Sequence, residues 1–146
     1  MRDILAFQVE SSSTRMRLPP TGNPLKILIA EDNPINQRLL IMLLRRYGHN
    51  VKAVDNGREA VEAIQSDTYD IVLMDSSMPV MDGIEATRRI RSLADSRIAS
   101  TPIVAVTALA LQGERERHLA AGMNDYVTKP VKPGPLLDAI YKAVAA

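Results

Sequence analysis

The sequence predicts a doubly wound α/β domain with a five-stranded parallel sheet, and three observations carry that expectation. Short unbroken apolar runs recur along the chain: Ile27-Leu28-Ile29-Ala30, Ile71-Val72-Leu73-Met74 and Ile103-Val104-Ala105-Val106. A half-exposed strand would alternate apolar and polar residues, so such runs fit strands buried on both faces. Longer stretches with helical spacing separate them, and strict strand–helix alternation implies parallel strands joined by right-handed crossovers.

Each element has its own local justification. Residues 1–24 hold Ser11-Ser12-Ser13-Thr14 and Pro19-Pro20-Thr21-Gly22-Asn23-Pro24, which is the composition of a linker or tail. A short extended piece is expected at Ala6-Phe7-Gln8-Val9 within it, and residues 25–146 are expected to form the domain. The first strand, Ile27 to Ala30, ends in Glu31-Asp32. Asn33 then caps a helix with Pro34 at its first position. Ile35, Leu39, Met42 and Leu43 recur at helical spacing as its apolar face, and Gly48 stops it.

Val51 to Val54 is the second strand, and Asn56-Gly57 turns into a helix with Ala60, Val61 and Ile64 on one side. Ile71 to Asp75 is the third strand. Asp82-Gly83 opens a helix through Ile84, Ile90 and Leu93. Pro102 to Val106 is the fourth strand, ending at Thr107. A weaker helix spans Leu111 to Ala121, with Glu114-Arg115-Glu116-Arg117 and His118 expected on its exposed side, and stops at Gly122. Asp125-Tyr126-Val127-Thr128 is a short fifth strand ending at Lys129-Pro130. The last helix uses Leu136, Leu137, Ile140, Tyr141 and Val144.

The totals narrow the function. The chain has 146 residues, enough for one domain with a real core. With 18 basic and 17 acidic residues the net charge is +1, which speaks against a general nucleic-acid or membrane-surface binder. There is no cysteine, so disulfides, zinc ribbons and thiol catalysis are excluded. No apolar run approaches the ~20 residues that span a bilayer, and Ile4-Leu5-Ala6-Phe7 is too short for a secretory signal core. A cytoplasmic location is therefore expected. Arg88, Arg89 and Arg91 form a small basic cluster, expected to be solvated or paired. His49 and His118 have no sequence neighbours that suggest a phosphohistidine.

The strand ends carry the chemistry. The first strand ends in Glu31-Asp32, the third in Asp75, the fourth in Thr107 and the fifth in Lys129. In a parallel sheet these ends share the carboxyl edge, where open α/β folds bind ligands. Three carboxylates brought together repel unless protonated or neutralised. Hard oxygen donors of this kind suit Mg²⁺, which takes one or two carboxylates, waters and a phosphate oxygen. A carboxylate beside a metal and an ammonium can accept a phosphoryl group, a reaction governed by positioning and charge neutralisation.

From Lys26 to Val144 the chain resembles the receiver domain of two-component response regulators. ILIAEDN, IVLMDSSMPVMDG, PIVAVTA and DYVTKP carry the resemblance, in that order and spacing. The resemblance implies a flavodoxin-like (βα)5 fold with strand order 2-1-3-4-5. It makes Asp75 the phosphoacceptor and Asp32 a direct Mg²⁺ ligand. Glu31 would bind the metal through water, and the Ser77 backbone carbonyl would be a further ligand; Mn²⁺ is expected to substitute. Thr107 and Lys129 would contact the phosphoryl oxygens, and Lys129 would pair with Asp75 beforehand. Tyr126 falls on the family's switch aromatic, and the Lys129-Pro130 bond is cis in many relatives. Ser77 and Leu109 fall at positions that tune dephosphorylation.

The implied function is a phosphoacceptor in a phosphorelay, with Mg²⁺-dependent self-phosphorylation and autodephosphorylation rather than enzymatic turnover. Its partner would be a histidine kinase or histidine phosphotransfer protein, with no nucleic acid or membrane contact by this domain, as a monomer or weak dimer. EDNPINQ suggests a receiver fused to a hybrid histidine kinase, with a stand-alone regulator as the alternative. A receiver-like interaction module that is never phosphorylated is a second reading, but such proteins usually lack one of the acids, the threonine or the lysine. A haloacid-dehalogenase-type phosphatase would want an acid at Ser77, and nucleotide-binding GxGxxG or GxxxxGK[ST] motifs are absent.

Overall fold

The computed structural model describes residues 23–108 and 112–146. The extended piece expected at Ala6 to Val9, and Leu109, lie outside them. Five strands, β1 (Lys26–Ala30), β2 (Asn50–Val54), β3 (Ile71–Asp75), β4 (Ile103–Thr107) and β5 (Asp125–Thr128), pair in the order β2-β1-β3-β4-β5. Every pairing is parallel. The helices are α1 (Pro34–Arg46), α2 (Gly57–Ser66), α3 (Gly83–Arg91), α4 (Glu114–Ala121) and α5 (Pro133–Ala145), with a single helical turn at Ser96–Ala99. Among the described residues no helix is long and apolar enough to cross a membrane.

Alternation along the strands divides the core in two. Leu28, Val72, Met74 and Ala105 face one side, where Ala60 and Ile64 of α2, Ile84 and Ile90 of α3, and Ala121 of α4 cover them. Ile27, Ile29, Ile71, Leu73, Val104 and Val106 face the other, beneath Leu40 and Leu44 of α1 and Leu136, Leu137 and Ile140 of α5. All five residues of β3 are buried, as the unbroken apolar run requires. Full burial stabilises each large aliphatic side chain by roughly 1.5–3 kcal/mol, so β3 is a rigid base for the acid at its end.

The caps are as the sequence implies. The Asn33 side chain accepts from the backbone N–H groups of Ile35 (2.9 Å) and Asn36 (3.1 Å), and Pro34 opens α1. Asn56 accepts from Glu59 N, and Glu59 reaches back to Asp55 N, both at 2.9 Å. Asp82 caps α3 by accepting from Glu85 N at 2.8 Å.

Several expectations are corrected. The residues taken as the core face of α1 point outward: Ile35, Leu39 and Met42 are 69%, 59% and 61% exposed. Leu40 and Leu44 are the residues that reach the sheet, with Leu43 half-buried beside them. α1 is apolar on two sides, so periodicity alone cannot say which side turns inward. His118, expected on an exposed helix side, is buried at 1% exposure. The helix that carries it begins at Glu114, whereas Leu111 lies outside the described residues. α3 ends at Arg91 and leaves Leu93 beyond its end; the added turn at Ser96–Ala99 carries no strong apolar period that would announce it.

Arg91 also departs from the expectation of a solvated or paired charge. Its Nε donates to Gly122 O (2.9 Å), Nη1 to Ala99 O and Thr101 O (both 2.7 Å), and Nη2 to Asn124 Oδ1 (3.1 Å). Asn124 Oδ1 accepts from Ile103 N as well, at 2.8 Å. One guanidinium thus ties the approaches to β4 and β5 to the end of α3. Arg89 pairs with Glu85 at 2.9 Å, one turn away on the helix surface.

Candidate functional site

Three acids meet at the carboxyl edge. β1 delivers Glu31 and Asp32 and β3 delivers Asp75, and one carboxylate oxygen from each lies within 4.8 Å of the others. Glu31 and Asp75 are buried, whereas Asp32 is exposed. The end of β5 brings Lys129, whose Nζ stands 3.2 Å from Asp75 Oδ2 and 3.2 Å from Glu31 Oε1. The loop after β3 folds back over the acceptor, so that Ser77 N donates to Asp75 Oδ1 at 3.2 Å.

Backbone packing fixes these positions. Gly83 N donates to Ser76 O at 3.2 Å, and a Cβ on Gly83 would lie 2.2 Å from Asp75 O. No other residue lets α3 start this close to the acceptor strand. Gly57 N donates to Met81 O at 2.9 Å, and a Cβ there would lie 2.4 Å from that oxygen, so α2 braces the far end of the same loop. Gln37 Nε2 donates to Glu31 O, Val54 O and Asp55 Oδ1, stitching α1 to the ends of β1 and β2. Sequence reasoning read Gly57 and Gly83 only as helix-opening turns, without their bracing of the acceptor loop, and missed Gln37 as a positioning residue. A glycine carries no chemical signal of its own, and Gln37 looks like any exposed helix polar residue.

The electrostatics are uneven. Burial pushes the Glu31 carboxyl up, and the nearby Asp75 charge adds to it. The backbone N–H of Asn33 (3.1 Å to Oε2) and Lys129 work in the opposite direction. For Lys129 burial opposes the charge, but Asp75 and Glu31 together hold its ammonium above the ordinary lysine value. Glu31 Oε1 is buried without a hydrogen bond; Lys129 lies at ion-pair distance from it but outside hydrogen-bond geometry. A buried carboxylate oxygen with no hydrogen-bond donor, next to two more carboxylates, fits a divalent cation bound by oxygen.

Thr107 is buried at the end of β4, one residue past the Asp75–Val106 pairing, and Lys129 N donates to its carbonyl at 2.8 Å. It shares a sheet face with Ala105, whose register partner on β5 is the half-buried Tyr126. The Lys129–Pro130 peptide is cis, as expected. The structure therefore brings together Glu31, Asp32, Asp75 and Lys129, with Ser77 at the acceptor through its backbone N–H. Thr107 stands at the same edge, and Tyr126 lies further back along β5.

Beside the acceptor runs a groove of about 460 Å³, lined by Leu39, Leu40, Leu43, Pro130 and Val131 together with Glu31 and Lys129. The exposed side of α1 continues this apolar surface.

The response regulator receiver domain profile matches residues 27–141. Among curated proteins, the sensor protein GacS of Pseudomonas syringae pv. syringae is 42% identical over 125 residues, covering 85% of this chain and 14% of that protein. Hybrid signal transduction histidine kinase I of Dictyostelium discoideum is 40% identical over 122 residues, covering 80% of this chain and 7% of that protein. The chain thus spans a small part of these relatives' length. Among solved structures, the receiver domain of sensor histidine kinase PA1611 from Pseudomonas aeruginosa, with magnesium coordinated in its active-site cleft, superposes with a TM-score of 0.76 at 43% identity. That match covers 84% of this chain and 99% of that one. The co-crystal structure of the Saccharomyces cerevisiae phosphotransfer protein Ypd1 with the receiver domain of Ssk1 gives a TM-score of 0.75 at 33% identity, covering 84% and 90%. The chain belongs to the response regulator receiver domain family of two-component signalling.

Proposed function

We propose that Asp75 accepts a phosphoryl group from a phosphohistidine on a histidine kinase or histidine phosphotransfer protein. The observation that carries this is one ammonium shared by two buried carboxylates, Lys129 at 3.2 Å from both Asp75 and Glu31, with Asp32 completing the acidic set. An Asp75 carboxylate oxygen attacks phosphorus, the bond from phosphorus to the histidine nitrogen breaks, and an acyl phosphate forms on Asp75. Lys129 neutralises the incoming charge, and the Thr107 hydroxyl donates to a phosphoryl oxygen. Ser77 N–H holds Oδ1, which fixes the plane of the carboxylate before attack.

Glu31, Asp32, Asp75 and the Ser77 carbonyl are the groups that would hold Mg²⁺, or Mn²⁺ in its place, and the bound cation would supply charge neutralisation to the phosphoryl oxygens. The new group brings nearly two negative charges and three acceptor oxygens. Thr107 moves toward it, and Tyr126 occupies the space this leaves, altering the α4–β5–α5 surface.

The apolar surface of α1 and the adjoining groove support docking of a protein donor beside the acceptor. The length of the relatives supports a hybrid histidine kinase as the parent, with residues 1–24 as its linker and 25–146 as the receiver. A cytoplasmic location, a monomeric or weakly dimeric state and no nucleic-acid contact complete the reading. Incubation with acetyl phosphate and Mg²⁺, followed by intact mass, tests it. The parent chain gains the mass of one phosphoryl group and Asp75→Ala does not. An equal gain on the variant overturns the assignment to Asp75, and no gain on the parent leaves a phosphorylation-independent interaction module. Such a module should also fail to respond to Mg²⁺.

A further inference from the structure

His118 is a buried imidazole that the proposed chemistry does not use. It sits in the middle of α4 at 1% exposure, with Nδ1 2.6 Å from Glu114 O. A carbonyl oxygen only accepts, so Nδ1 carries the proton in this contact and Nε2 presents its lone pair in the neutral ring. Nε2 is buried and has no hydrogen-bond partner. What the ring does touch is Tyr126: the two rings stack at 13°, with centroids 6.4 Å apart. That spacing is within the range of favourable offset aromatic pairs.

The position of this pair matters. Tyr126 lies on β5, three residues before Lys129, and opposite Ala105, two residues before Thr107. Residues two apart share a sheet face, so Tyr126 and Thr107 are on the face that α4 covers. α4 itself has little else to anchor it, since Ala121 is its one other buried residue.

We propose that His118 is the positioning residue that holds Tyr126 in the stacked setting seen here, that this stack is given up when Tyr126 moves beside Thr107, and that His118 so sets the resting bias of the switch and couples α4 to it. This rests on the reading of Asp75 as phosphoacceptor. In this reading each state of Tyr126 has a different partner: the His118 ring in the stacked setting, the space vacated beside Thr107 in the other. Loss of the stack removes a contact made in only one of the two states, so it shifts the population toward the other. A ligand-independent bias of this kind changes the rate at which a small donor loads Asp75, because the competent state is more populated before the donor arrives.

The test uses the full chain. Acetyl phosphate and Mg²⁺ are added to the parent, His118→Ala, His118→Phe, Tyr126→Ala and the His118→Ala/Tyr126→Ala double variant, and loading of Asp75 is followed by intact mass. His118→Ala is expected to load about two- to tenfold faster, while His118→Phe, which retains a stacking ring, stays near the parent. In the Tyr126→Ala background the His118→Ala change is expected to have no further effect on the rate. In the parent, ring-to-ring nuclear Overhauser contacts between His118 and Tyr126 are expected, and they disappear when beryllofluoride, a phosphoryl mimic, is bound with Mg²⁺.

A residue that only fills the core would lower the melting temperature and leave these loading rates unchanged; that result overturns the proposal. So does an equal effect of His118→Ala with and without Tyr126, or ring contacts that survive beryllofluoride. If His118→Ala does not fold, the parent's ring contacts and the His118→Phe rate still decide. Absence of loading in the parent is a different failure, which removes the phosphoacceptor reading and this inference with it.

Discussion

The two edges of the sheet are built on opposite principles. At the amino edge most polar groups find partners, the buried Tyr69 hydroxyl excepted. His49 Nδ1 accepts from Leu25 N at 3.0 Å, and its Nε2 meets Tyr141 Oη at 3.0 Å. Lys26 N donates to Asp70 Oδ2 at 2.8 Å, and Asn50 N to Leu25 O at 2.9 Å. At the carboxyl edge two buried acids share one lysine and an oxygen is left without a hydrogen bond. The contrast teaches that stability and chemistry are separated along the strands. The aliphatic core between them lets the carboxyl edge keep unneutralised charge while the amino edge holds neutral or paired groups.

Substitutions can break or sharpen that contrast. The largest effect is expected from Gly83→Ala, which places a methyl 2.2 Å from Asp75 O. Backbone cannot yield cheaply there, and a loss of roughly 3 kcal/mol or more is expected in denaturant unfolding, along with loading of Asp75. Arg91→Met removes the donor to four acceptors and should cost about 2–4 kcal/mol, measured the same way, while the site at the other edge keeps its geometry.

At the carboxyl edge the sign depends on which group is removed. Lys129→Met leaves two buried acids facing each other and should destabilise by about 1–3 kcal/mol. Asp75→Asn removes one of the repelling charges and should be neutral or raise the melting temperature. A fall as large as that of Lys129→Met would mean that this edge is built for stability after all.

The smallest effect is a dependence on pH at the amino edge. Burial lowers the His49 pKa from its ordinary 6.5. In the unfolded chain the ring protonates near 6.5, while in the fold it resists, so the unfolded state binds more protons below that pH. Stability is therefore complete above pH 6.5 and declines as pH falls from 6.5 toward the folded value. His49→Asn should flatten this part of the melting-temperature profile, while Asp75→Asn should leave it in place.

Most of the fold was legible because strands buried on both faces announce themselves. Ile71 to Met74 could be little else, and once five such units alternate, the edge that gathers Glu31, Asp32, Asp75, Thr107 and Lys129 follows from topology. What escaped depends on tertiary direction. α1 offers two apolar stripes, and only the packing of Leu40 and Leu44 on the sheet distinguishes them. His118 follows Glu114-Arg115-Glu116-Arg117, a run that looks solvated, and the short helix hides its ring by facing Tyr126. Arg91 looks like its neighbours Arg88 and Arg89, because the carbonyls that turn it inward lie at Ala99, Thr101 and Gly122.

That guanidinium has one more consequence. Burial works against its charge, and none of the four groups that answer it is a carboxylate. Backbone carbonyls and an asparagine amide do not titrate, so acid that protonates side chains elsewhere leaves this junction intact. The β4–β5 half of the sheet is thus tied to α3 by a bond whose strength does not vary with the pH around it.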